Sequence, residues 1–268
     1  MVCLFCLPAI LPFFVIAWKL FQNGFKQFNG NLFTQVSPTS TEALLACMGS
    51  EIIPGGILNG ICGSILILSI AILLAVPLGI LAGIYIYDNR SRKLTSIISY
   101  AGYILQGTSA IVIGLIVYLW IVKPFHGFSA FAGGIALAIF LLPRVARSTL
   151  RALNTLPVNL MESGIALGGS YTGVTLKIVL PATHKNLLSN ILMSVSQIVG
   201  MTAPLIITAL GSSGVNWDPG KPTATISLLV WNFFNNPNTV NLMWSSALIL
   251  FLIVIGLNIT AKYMNRSK

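Results

Sequence analysis

The segment ESGIALGGSYTGVTLKIVLP, Glu162–Pro181, lies between two long apolar stretches and is flanked by Arg144, Arg147, Arg151 and Lys185. Pro157 suits the first turn of a helix, where its missing N–H costs nothing. A helix is expected from Pro157 to about Leu167, stopping at Gly168-Gly169, which permit a left-handed C-cap. Glu162 falls in mid-helix, available to a basic neighbour or a partner. A second short helix is expected over Thr172–Val179, with Pro181 starting the next apolar span. Two short helices joined by a glycine elbow, with basic flanks, make a docking surface that projects from a bilayer on its cytoplasmic side. Taken singly, each piece has a plainer explanation as a polar hairpin between spans; the ordered set of positions carries the weight.

The rest of the chain is consistent with that reading. Of its 268 residues, 56% are hydrophobic and only 7% charged, and the mean hydropathy is +0.89. Soluble domains carry roughly 25% charged residues, so the solvent of this fold is lipid. The net charge of +10 does not point to nucleic acid, because the basic residues sit beside apolar runs and form no patch of their own. Cys3, Cys6, Cys47 and Cys62 read as small apolar residues in or near lipid. The Cys3–Cys6 spacing lacks a nearby His or acidic partner, so neither a metal site nor a required disulfide is expected.

A spanning helix needs about 20 mostly apolar residues. Six stretches qualify, near 2–22, 60–87, 97–122, 128–146, 186–211 and 242–262. Residues 64–87 carry no charge, and 14 of these 24 are Leu, Ile or Val. At roughly −0.45 kcal/mol each, those alone favour insertion by about 6 kcal/mol. Pro77, Gly79 and Gly83 are tolerable there because neighbouring helices satisfy freed backbone groups. The first stretch lacks a basic leading region and a small-residue cleavage site, so it is expected to remain as a span, with a short basic tail missing ahead of it.

Loop charge sets the orientation. With both termini inside, 11 of the 15 basic residues face the cytoplasm, among them Arg90, Arg92, Lys93, Arg144, Arg147, Arg151, Lys177, Lys185 and Lys262. Lys19, Lys26, Lys123 and Lys221 remain on the outer side, with the acids Glu42, Glu51 and Asp218. Residues 23–56 are expected to form an outer segment. Within the long loop 212–241, Ala224–Phe234 is expected to be a short interfacial or gating helix with Trp231, Phe233 and Phe234 at headgroup depth.

The opening segment also resembles the cytoplasmic loop of ATP-binding-cassette (ABC) importer permeases, whose pattern runs E-A-A, three residues, G, nine residues, I-x-L-P. Glu162, Gly168, Ile178, Leu180 and Pro181 fall on it. The resemblance implies that Glu162, Gly164, Ala166, Gly168, Ile178, Leu180 and Pro181 couple the chain to a separate cytoplasmic ATPase. No G-x-x-x-x-G-K-[ST] phosphate loop occurs in this chain; after Gly168 and Gly173, Val174 stands where the lysine is needed. Further stretches are similar to the A-type permease of phosphate-specific importers: Gly55–Ile67, Val76–Ile86, Ile111–Tyr118, Leu142–Gly168 and Thr202–Leu210. This likeness covers roughly residues 55–260.

The resemblance implies an all-α integral membrane protein with six transmembrane helices, the type I ABC importer permease fold (MetI-like). Residues 1–54 would hold the first helix and outer segment, and 55–268 the permease core with its coupling loop 152–185. It also implies a second, homologous permease subunit, two copies of the ATPase, an external phosphate-binding protein, and no cofactor or catalytic residue in this chain, ATP being bound by the partner. The chain departs from the family in span five, where an Arg and, four residues on, a Glu usually precede T-A-P; here Gln197 and Met201 stand there. An intramembrane ion pair is a functional candidate by default, and its joint replacement avoids a lone buried charge.

Candidate pathway residues follow from periodicity. Ser194, Gln197, Met201, Pro204 and Thr208 fall near one face of a continuous helix, with Thr202 beside them, and either line a pathway or pack against a neighbour. Gln106, Thr108 and Ser109 form a similar patch in span three. Arg144, Arg147 and Arg151 follow i, i+3, i+7 spacing, either as inside-positive anchors or as an electropositive exit with Arg147 toward the cavity. A permease for another small solute, and a subunit that supports assembly or signalling with little transport, are the competing readings. A secondary carrier would need intramembrane charges or inverted repeats, and neither is visible.

Overall fold

The computed structural model describes residues 2–39, 41–44, 55–89 and 92–266. The expectations for Cys47, Glu51, Arg90 and Lys268 lie outside these residues. Helix α1 covers Val2–Gly24 and a short α2 Gly30–Thr34; α3 is Leu58–Asp88, α4 Lys93–Gly107, and α5 Ala110–Val117 with a widened turn over Tyr118–Val122. Helix α6 is Ala130–Asn154, α7 Val158–Ala166, and α8 Tyr171–Val174, which runs through a widened turn at Thr175–Val179 into α9, Leu180–Val199. Helices α10 (Ala203–Thr208), α11 (Ile226–Phe234) and α12 (Val240–Arg266) complete the chain. Strand pairing among the described residues is limited to one isolated bridge, Leu210 with Thr223.

Three helices, Leu58–Asp88, Ala130–Asn154 and Pro237–Asn265, are long and apolar enough to cross a bilayer, and α4 with α5 is a fourth if the bent pair counts as one span. The first and fifth stretches expected to span are helical as well, as α1 and as α9 with α10, which is consistent with six spans. Helix α6 is the central one: 67% of its most apolar window is buried, against 22% for α3.

The close neighbours α3 and α6 run parallel. A Cβ at Gly134 would lie 2.6 Å from Ile70, one at Gly79 2.7 Å from Val145, and one at Gly83 2.5 Å from Thr149. The numbers rise together, and small residues let the two backbones approach. Two parallel helices in one membrane require a return crossing between them. From the end of α3 to the level at which α6 starts is about 30 Å, at 1.5 Å per residue, close to the hydrocarbon thickness. Residues 93–122 make that return despite a bend of 105°. They were expected as one span; instead Thr108 and Ser109 are extended, and Thr108 Oγ1 caps the first arm by donating to the Ile104 carbonyl at 2.8 Å.

The expected continuous span 186–211 is likewise broken. Helix α9 ends at Val199 and α10 begins at Ala203. Pro204 cannot donate a backbone hydrogen bond, and its ring excludes the carbonyl four residues back, that of Gly200, itself a weak helix former. The five residues Ser194, Gln197, Met201, Pro204 and Thr208 therefore do not share one helical face.

The end of the bundle at which α3 and α6 start is closed by long-range hydrogen bonds. Ser129 caps α6 by accepting from Ala132 N at 3.1 Å. The backbone N–H groups of Ser129, Ala130 and Phe131 donate to the carbonyls of Thr208, Lys221 and Pro219. Buried Asn59 donates to Ser212 O at 2.7 Å and to Ser37 Oγ at 2.9 Å, tying the outer segment to the start of α3. The expected helix in the long loop is α11, capped by Thr225. It packs against α3: Ile226 N donates to Ser64 Oγ at 3.0 Å, and Phe233 is buried while Trp231 and Phe234 stay exposed. A nine-residue helix with three aromatics near its end cannot turn all of them outward, because they span more than one face.

Candidate functional site

The loop between α6 and α9 folds as a hairpin of α7 and α8. Gly168 ends α7 with φ +82°. Gly169 N donates to Gly164 O and Gly168 N to Ile165 O, at 3.2 and 2.9 Å. This is the Schellman arrangement, which satisfies the carbonyls a helix end leaves open. Gly164 is buried where the two arms cross, and a Cβ there would lie 2.7 Å from Val174 Cγ1. The expected second helix is not separate, because α8 continues into α9. The widened turn at Thr175–Val179 accommodates Pro181, which lacks an N–H.

Leu153, Met161, Val174 and Val179 form an apolar knot with Ile84, Tyr87 and Leu156, fastening this elbow to the C-terminal ends of α3 and α6. Tyr171 Oη donates to Asp88 Oδ1 at 2.8 Å, a further link to α3. Of the residues assigned to coupling, Glu162, Ala166, Gly168, Ile178 and Pro181 are exposed, Leu180 is half-buried, and Gly164 supports the crossing from within. Ile165, Leu176 and Ile178 are exposed beside them, and Leu167 is 89% exposed at the tip. Exposed apolar side chains on this hairpin are available to a partner surface or to lipid.

Above the elbow, α4, α6 and α9 line an open-sided cavity of about 640 Å³. Arg144, Arg147 and Arg151 all line it, facing Asn190, Ser194 and Gln197 of α9 and Tyr103 and Gln106 of α4. No Asp or Glu is among the lining residues. Arg147 Nη1 donates to Gln106 Oε1 and its Cζ lies 3.7 Å from the Tyr103 ring centroid. Arg144 Nη1 donates to Gln197 Oε1, and its Cζ lies 4.3 Å from the Phe140 centroid. Aromatic faces hold guanidinium planes while leaving their edges free. Arg147 Nη2 and Gln106 Nε2 are buried and find no acceptor among the described residues. A buried donor without a partner costs free energy, and here two such donors border the same basic cavity.

The structure brings Arg147 and Gln197 together and sets the other expected pathway residues apart. Met201 packs against the apolar cluster around α6, and its carbonyl accepts from Ser227 Oγ at 3.2 Å. Thr202 Oγ1 donates to Ser227 O at 3.4 Å. Pro204 is buried against Gly114 of α5, and Thr208 Oγ1 bonds back to Pro204 O. The break at Gly200 turns these residues onto α11 and α5. Sequence reasoning missed Tyr103 and Asn190, although Asn190, Ser194 and Gln197 have the spacing of one helix face. Among the described residues, no group of three His, Cys, Asp or Glu gathers as a metal site.

A multi-span helical bundle with a basic cavity and an exposed helical hairpin has the features of a membrane transport permease. The family described as binding-protein-dependent transport system inner membrane component matches residues 75–268, and the chain belongs to it. The chain is 33% identical to the phosphate transport system permease protein PstA of Haemophilus influenzae, over 98% of this chain and 91% of that protein. It is 30% identical to the probable phosphate transport system permease protein PstA of Methanocaldococcus jannaschii, over 96% and 88%. In fold it is similar to a chain of the MetNI methionine ABC transporter in an inward-facing conformation, with a TM-score of 0.61 at 16% identity, over 76% of this chain and 94% of that one. The expected all-α importer permease fold is the fold observed.

Proposed function

We propose that the chain is a transmembrane permease subunit of an ATP-driven importer of inorganic phosphate. The observation that carries this reading is the cavity lined by three arginines, unpartnered donors and no carboxylate, in a chain whose relatives are named phosphate permeases. Cations and N–H donors gathered in a cleft favour an oxyanion and disfavour cations. The chain forms half of a pathway whose other half is a second, homologous permease. An external phosphate-binding protein delivers the anion, and two copies of a cytoplasmic ATPase bind and hydrolyse ATP. This subunit does no covalent chemistry and holds no cofactor.

Both termini are cytoplasmic, which puts the elbow and the arginine cluster on the same inner side. Glu162, Ala166, Gly168, Ile178 and Pro181 meet the ATPase, while Gly164 and Leu180 fix the elbow to α9. Closure of the ATPase pushes the elbow, and its apolar knot passes the motion to α3 and α6. Arg147 and Gln197 contact the passing anion. Met201, Thr202 and Pro204 form the seam outside the cavity, where the break between α9 and α10 permits alternate access.

The test is ATP-dependent uptake of labelled phosphate into vesicles holding this subunit with its partner proteins, with sulfate and molybdate as competitors. Phosphate-selective uptake is expected. Selective uptake of a different solute, or an assembled complex that transports none of the three anions, overturns the reading.

A further inference from the structure

One cation of the cavity rests on a neutral neighbour from another helix. Arg144 of α6 donates to the amide oxygen of Gln197 on α9, and its plane lies over Phe140. Neither neighbour carries charge, so the full positive charge of Arg144 stays on the cavity wall. Arg147 is held in the same manner, by the Gln106 amide oxygen and the Tyr103 ring. The buried polar atoms left without a partner there, Arg147 Nη2 and Gln106 Nε2, are both donors. Donors and cations without a carboxylate are complementary to a compact oxyanion with several acceptor oxygens.

We propose that Arg144, positioned by Gln197, is a binding cation for a tetrahedral oxyanion in this cavity. The inference rests on the phosphate reading and adds to it the side chain on which the anion is received. It also accounts for the neutral residue at 197: Gln197 needs no charge of its own, because the cation stands on the adjacent helix, one hydrogen bond away. Gln197 has the length to reach Arg144 and takes up one N–H, leaving the other guanidinium donors for a ligand. A carboxylate at 197 would accept the same hydrogen bond but cancel the charge. A second guanidinium there would face Arg144 with like charge and no acceptor.

The experiment uses the assembled complex in vesicles, with labelled inorganic phosphate, saturating binding protein and initial uptake rates. It compares the wild type with Gln197→Glu, Arg144→Gln and the double variant Arg144→Gln/Gln197→Arg. Gln197→Glu and Arg144→Gln are each expected to slow uptake roughly tenfold or more, the effect of cancelling one charge beside an anion in a partly buried site. The double variant restores the charge from the other side of the hydrogen bond and is expected to recover most of the rate. A structural role for the Arg144–Gln197 bond predicts the opposite for Gln197→Glu, which keeps the bond and strengthens it. Wild-type uptake with an unaffected Gln197→Glu, or a double variant as slow as Arg144→Gln, overturns the inference alone. A wild-type complex that takes up no phosphate overturns the phosphate reading and this inference with it.

Discussion

The docking elbow and the basic cavity sit at the same end of α6 but are built in different ways. The elbow is local: a left-handed glycine, two hydrogen bonds within six residues and a proline preceded by a widened turn. The cavity is assembled from α4, α6 and α9, whose lining residues lie up to 94 positions apart, Tyr103 to Gln197. Short-range geometry can be written in a motif, whereas a cavity depends on how helices rotate against one another. The two regions should therefore fail separately when mutated: the elbow by losing its partner, the cavity by losing its ligand.

The largest effect is expected at the cavity. Arg147→Met removes a guanidinium and strands the Gln106 amide oxygen. Uptake should fall by roughly a factor of 100, since truncating one side of a buried charged contact costs about 2–5 kcal/mol. Co-purification of the ATPase should stay unchanged, and its loss would show that the two regions are not separable.

At the elbow the order reverses. Gly168→Val forces a β-branched residue to φ +82°, at a cost of about 1–2 kcal/mol. Pull-down of the ATPase should weaken several-fold while the protein still inserts, and Gly168→Asn, which tolerates the left-handed region, should bind better than Val. Equal binding by both variants would remove backbone conformation from the account. Glu162→Lys, on the exposed face of α7, is expected to weaken ATPase capture without changing thermal stability in detergent. Unaltered capture would mean that the partner does not touch this face.

The smallest effect belongs to the link between the elbow and α3. Tyr171→Phe deletes the hydrogen bond to Asp88, a contact worth roughly 0.5–1.5 kcal/mol. ATP hydrolysis should persist with a modest loss of uptake per ATP, and unchanged coupling would assign the transmission to the apolar knot alone. The break at Gly200 also bears on residues 197 and 201. Met201 packs into the apolar cluster, so Met201→Glu should lower the yield of folded protein even when combined with Gln197→Arg. A double variant that expresses and transports better than either single would restore the simple helical pairing of these positions.

Much of this protein was legible in its sequence. The apolar stretch within α3 and the run Glu162–Pro181 set a helical membrane bundle with a two-helix elbow between α6 and α9. Each of these follows from short-range rules: transfer of side chains into lipid, glycine at a left-handed cap, proline at a helix start. The three arginines were visible too, and their spacing put them on one face. Their use was not legible. Both the anchoring and the exit readings fit the same numbers, and only packing shows that α4 and α9 line a cavity on that face.

Tertiary structure decided what periodicity could not. It turned the expected straight spans 97–122 and 186–211 into broken pairs, moved Met201, Thr202 and Pro204 out of the cavity, and placed Gln197 beside Arg144. The reason is physical. Helix periodicity holds only while backbone hydrogen bonding is unbroken, and a single interruption at Thr108 or Gly200 rotates everything beyond it. The sequence alone determined which segments are apolar enough for lipid and where the glycine elbow forms, because those depend on local composition and backbone conformation. Which polar side chains share one cavity was determined by helix packing, through contacts between residues far apart in the chain.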